Sequence, residues 1–166
     1  MPKLKLPKEP TYTGPAAIWK RALAFAIDMV ILDIVIGSPF RKFFTSNLPQ
    51  AGFTETLDYL TANPEAATAI SAATGFIGIL SLLYFAILES RLGQTVGKML
   101  MKIKVHSDSG KIGFMAAAAR SMYFIFIFPF ILLWVLDPLF LIFTKENRRL
   151  SEILSKTKTV EVYTLR

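Results

Sequence analysis

Asp28 places a carboxylate near the midpoint of an apolar stretch of membrane length, Ile18 to Phe40, entered through Trp19-Lys20-Arg21. An acid at that depth in a bilayer costs about 2.5–3.5 kcal/mol on insertion scales, so it is expected to face protein or water. Two kinds of chemistry fit it. As a protonatable or cation-binding group, it carries a proton or a cation across the bilayer. As half of a structural ion pair with Arg21 or Arg120, it fixes how helices pack. At about 100° per residue, Arg21 and Asp28 share one helical face, whereas Asp33 is turned by about 140° from Asp28 and lies nearer the outer end. Arg120 sits in the apolar context Ala116 to Phe128, where an unpaired cation is costly, so it calls for a carboxylate, either Asp28 or Glu152.

Other chemistries are poorly served. The chain has no cysteine and one histidine, His106, which argues against thiolate and histidine metal sites and against cysteine or histidine-driven catalysis. The stretch Gly93-Gln94-Thr95-Val96-Gly97-Lys98 lacks the glycine spacing and the hydroxyl after lysine of a phosphate-binding loop. No enzyme activity, cofactor or metal is expected. The net charge of +7 sits beside apolar runs, which favours anionic lipid headgroups over nucleic acid, with Lys98, Lys102 and Lys104 as the headgroup contacts.

These residues need positioning elements. The chain is 53% hydrophobic with 14 Phe, and its charges are confined to blocks between apolar runs, the composition of an all-α integral membrane protein. Residues 1–17, with Lys3, Lys5 and Lys8 among prolines, read as a basic extended tail. Helix one covers 18–40 and is expected to be retained, since no small-residue cleavage pattern follows at Pro39-Phe40-Arg41-Lys42. An outer loop covers 41–63, and Asn63-Pro64-Glu65 marks the start of helix two, 64–88. In helix two, Ala67, Ser71 and Gly75 form a ladder of small residues suited to close helix approach.

In the loop 89–112, Met101 to His106 alternates with period two. Ser107-Asp108-Ser109-Gly110 then supplies a turn before a return at Lys111-Ile112, a small hairpin. Thr157 to Tyr163 alternates likewise and makes a natural further strand. The third apolar segment, 113–143, contains Pro129, which breaks it into helices of about 113–128 and 130–143 that return as a hairpin, or else kinks a single span. The C-terminal tail covers 144–166.

Cations exceed acids five to one in residues 1–21, five to two in 89–112 and six to three in 144–166, but not in 41–65. The positive-inside bias therefore puts the N-terminus, the β-hairpin and the tail in the cytoplasm of a plasma-membrane protein.

Taken together, Trp19-Lys20-Arg21, Asp28, the Gly93–Lys98 stretch, Arg120 and Arg149-Leu150-Ser151-Glu152-Ile153-Leu154 resemble the RDD family of small membrane proteins, over most of residues 15–163. That family is named for an arginine opening its first helix, an aspartate within it and a second aspartate close to the end. The first two match Arg21 and Asp28, and Glu152 occupies the third place with one more methylene. The resemblance implies a small membrane domain for which ion or solute transport has been suggested, while other members look like accessory parts of membrane assemblies. Two functions follow as expectations. One is a transporter module in which Asp28 carries the cargo and Arg21, Arg120 and Glu152 tune its charge, needing a homo-oligomer or a partner to line a path. The other is a non-catalytic accessory subunit or assembly factor of a larger membrane complex.

Overall fold

The computed structural model describes residues 11–107, 110, 112–125, 132–144 and 148–164. Helix one is longer than expected. α1 (Ile18–Leu32) continues through a π turn at Asp33–Gly37 into α2 (Ser38–Asn47), a run of 30 residues. The π turn lies just before Pro39, which has no N–H to give and crowds the carbonyl four residues back; widening the helix there accommodates it.

The expected outer loop contains α3 (Phe53–Ala62), and α4 (Pro64–Leu92) follows. Pro64 sits in the first turn of α4 with Glu65, as the sequence suggests, but Asn63 does not cap it. Its side-chain amide instead donates 2.9 Å back to the Tyr59 carbonyl and closes α3. α4 runs four residues past its expected end and carries Glu89 inside the helix. Gly93, with φ of 71°, ends it in the left-handed conformation.

Ile18–Asn47 and Pro64–Leu92 are long and apolar enough to cross a membrane. Only 17% and 22% of their apolar windows are buried inside the chain, unlike the core helix of a water-soluble domain. The buried face of α4 is Gly78, Ser81, Phe85, Ala86 and Glu89, not the small-residue ladder. Ser71 and Gly75 are exposed, and nothing stands near a Cβ built at Gly75.

After α4 come α5 (Val96–Leu100) and β2 (Ile103–Ser107). Of the expected hairpin after β2, Asp108 and Ser109 lie outside the described residues. Among the described residues only a bridge, Ser107 to Gly110, closes the expected hairpin, and Lys111 lies outside them. The partner of β2 is instead β3 (Thr157–Thr164), paired antiparallel with Val105 opposite Thr159. β3 is central, and β1 (Thr11–Pro15) covers its other edge with Thr13 opposite Val162, so the order is β1-β3-β2. The supposed tail thus contains a strand, built on Thr11-Tyr12-Thr13 and ended by Pro15, which an edge strand tolerates.

The third apolar segment is more broken than expected. α6 (Phe114–Arg120) and a 3₁₀ turn (Met122–Phe124) precede α7 (Leu133–Phe143); Pro129 lies outside the described residues. At about 1.5 Å per residue, α6 and α7 are about 10 and 16 Å long, too short to cross a bilayer alone. α8 (Leu150–Leu154) then leads into β3. Since β1 precedes α1, β2 follows α5 and β3 follows α8, one sheet gathers all three. The chain therefore belongs to the same sheet before residue 113, at β2, and after residue 143, at β3. Tyr123 and Phe124 pack with Leu32 and Phe85 between the two long helices, and Phe124 stacks on Phe85 at 5.0 Å.

Candidate functional site: a buried charge cluster beneath the sheet

Asp28 is fully buried, yet it does not join the arginines. Its Oδ1 accepts from the Gly97 amide at 2.8 Å and the Tyr84 hydroxyl at 2.9 Å, and its Oδ2 accepts from the Thr95 hydroxyl at 2.5 Å. Thr95 also caps α5, accepting from the Lys98 amide. Asp28 thus pins the Gly93–Lys98 stretch to helix one, and among the described residues it has no cation within ion-pair distance. The expected pairs Asp28–Arg21 and Asp28–Arg120 are not formed. Seven residues separate Arg21 from Asp28 by about 10 Å along the axis, and helical side chains lean toward the N-terminus, which sends Arg21 away to the sheet.

Gly97 is required where α5 meets α1. A Cβ there would stand 2.1 Å from the Ala24 carbonyl oxygen and 2.9 Å from the Asp28 carboxyl carbon. The two glycines of the motif have different uses. Bending belongs to Gly93, whereas Gly97 allows two backbones to touch.

Arg21, Arg120 and Glu152 do come together. Arg21 Nη1 lies 3.2 Å from Glu152 Oε2, and Arg21 Nη2 donates 2.8 Å to the Thr159 carbonyl. Arg120 Nη2 lies 3.4 Å from Glu152 Oε1, and its Nε lies 2.9 Å from Glu89 Oε2. Arg120 also donates to the Thr157 and Thr159 hydroxyls. Glu152 further accepts from the Thr159 hydroxyl and from the Arg149 amide at 3.1 Å, closing the first turn of α8.

The alternation of β3 explains its part: Thr157, Thr159 and Glu161 point inward, and Glu161 takes Lys20 of α1. Lys98, expected at lipid headgroups, is turned inward to Glu89, because the Thr95 cap and the Gly97 contact hold α5 against the cluster. Lys102 and Lys104 are exposed at the sheet side. Asp33 is exposed too, 3.0 Å from Arg41 of the same long helix.

Three contributors escape the sequence reading. Glu89 counts there as a loop charge, although its position one turn past Phe85 and Ala86 extends the buried face of α4. Asp137 of α7 accepts from the Ser151 amide at 2.7 Å and its hydroxyl at 2.9 Å, tying α7 to α8. Tyr84 reaches Asp28 from a helix that shows no polar periodicity. The cluster encloses a cavity of about 20 Å³ lined by Arg21, Glu89, Lys98, Arg120 and Arg149, room for about one water. Among the described residues no group of acids and histidines is arranged to hold a metal ion.

Burial alone would raise the Glu152 carboxyl, but Arg120 and Arg21 beside it and the Thr159 hydroxyl hold it down at about 2. A carboxyl depressed in the folded state contributes stability above its unfolded pKa of about 4.3 and loses it as pH falls toward 2. In detergent, stability should therefore decline between about pH 4.5 and 2, and Glu152→Gln, although less stable at neutral pH, should show a flatter decline.

Comparison with family models matches residues 15–156 to the RDD family. No curated protein and no solved structure matches the chain.

Proposed function

The chain belongs to the RDD family, and from that premise we propose that it is a two-span protein of the plasma membrane acting as a non-catalytic accessory or assembly module, with its sheet and N-terminus in the cytoplasm. Membrane placement is supported by the exposed apolar sides of the long helices, where Val30, Ile34, Val35, Phe76 and Ile79 are each more than half exposed. Such surface is untenable in water and natural in lipid. Orientation rests on the excess of cations at the sheet side. Single cysteines in this cysteine-free chain test it: position 55 should react with an impermeant reagent in intact cells, and positions 106 and 163 only after lysis. Reaction at 163 in intact cells would reject the topology.

One observation carries the accessory reading. The buried carboxylates of the cluster are engaged by arginine, lysine, hydroxyl or amide donors from other elements, around a cavity with room for about one water. A cargo site has to exchange its charge partners, whereas this network ties α1, α4, α6, α8 and the sheet into one geometry. A surface held in that geometry suits docking to a larger membrane complex.

Transport by Asp28 in a homo-oligomer is the competing reading, and the three donors on its carboxylate speak against it. The test has two arms. The purified protein in liposomes should give no proton or cation flux above empty vesicles, and isolation at native levels in mild detergent should bring a stoichiometric membrane partner. Flux that disappears in Asp28→Asn would overturn the proposal.

A further inference from the structure

Ile18, Ala22 and Phe25 on α1 face Leu133 and Leu141 on α7 across a groove of about 290 Å³. Its walls are mainly apolar, and its volume is near the lower bound of about 300 Å³ for small-molecule sites. Arg21, which reaches β3, and Arg149, just before α8, place the charged part of the groove at its sheet end. Phe25 and Leu133 lead away from it into the core shared by the long helices.

The charges there do not balance. Both oxygens of Asp137 are held by Ser151, and the oxygens of Glu152 are held by Arg21, Arg120, Thr159 and the Arg149 amide. The half-buried Arg149 guanidinium is left with no carboxylate at ion-pair distance among the described residues. A cation at the head of an apolar slot complements an amphiphile with an anionic head.

We propose that this groove binds one membrane phospholipid, its acyl chain lying between α1 and α7 and its phosphate held by Arg149. Free phosphate has no use for the apolar walls. A guanidinium offers a phosphate two parallel N–H donors, and the helix surfaces offer the chain the packing it has in lipid. The inference takes from the proposed function only the membrane placement. Because its test is run in detergent, failure to bind lipid and failure to find a partner complex are separate results.

The test is native mass spectrometry of the delipidated protein titrated with three probes: dioleoylphosphatidylglycerol, a dioleoyl glucolipid with the same chains and no phosphate, and inorganic phosphate. One phosphatidylglycerol should bind in preference to the glucolipid, and millimolar phosphate should not displace it. Arg149→Gln should weaken binding at least tenfold. Leu141→Trp, which fills the groove and leaves the cation in place, should do the same and decides the matter if Arg149→Gln does not fold. Equal binding of the glucolipid, displacement by phosphate, or unchanged binding in a folded variant would overturn the proposal.

Discussion

Gly97→Ala should yield no monodisperse protein, whereas Gly75→Ala in the same background should behave as wild type. The added methyl meets the Ala24 carbonyl oxygen at 2.1 Å, and this is backbone in the middle of α1, which no rotamer change relieves. Overpacking against movable side chains costs about 1–3 kcal/mol. Here α5 has to back away as a unit. Withdrawal breaks the 2.8 Å bond from the Gly97 amide to Asp28 and loosens the Thr95 bond to the same carboxylate. A hydrogen bond to a charged group contributes about 1.5–3 kcal/mol, and the buried carboxylate would lose two donors. The sum is a large share of the about 5–15 kcal/mol that holds a domain folded. Size-exclusion profiles and thermal unfolding in detergent measure it. A Gly97→Ala protein as stable as wild type would show that α5 does not need to touch α1.

Arg120→Leu should cost about 3–5 kcal/mol, the usual loss when one partner of a buried charge pair is removed. The guanidinium reaches Glu89 on α4, Glu152 on α8 and two threonines on β3, so its loss leaves one carboxylate with Lys98 and the other with Arg21, and takes a donor from each of two hydroxyls. Arg120→Lys should recover little, because a single ammonium cannot replace a planar fork that touches several acceptors. Chemical denaturation in detergent reads both variants.

Much of the fold is legible in the sequence. Apolar runs mark both long helices, Pro64 and Glu65 mark the start of α4, and period-two alternation marks β2 and β3, which pair. The need of Arg120 for a carboxylate follows from its apolar context, and Glu152 supplies one of the two it has. What stays hidden depends on contacts between distant elements. Glu89 reads as a loop charge because an acid ends an apolar run on paper, while in the helix it lands on the buried face. Asp28 reads as an ion-pair or cargo site because its donors are an amide, a phenol and a hydroxyl from segments 56 to 69 residues away. Thr157 and Thr159 look like ordinary strand residues until the pairing of β2 and β3 turns them toward Arg120. The third family position illustrates the same point: Glu152 meets Arg21, but Asp28 holds a separate loop.

The buried charges hold one another and thereby fix the fold. A double-mutant cycle between Arg120 and Glu152, using Arg120→Met, Glu152→Gln and the double variant with unfolding free energies in detergent, measures this most directly. The double variant should lose less than the sum of the single losses, by about 1–3 kcal/mol, as contacting residues in one network do. Losses that add to within about 0.5 kcal/mol would contradict it, because independent charges cannot form a lock.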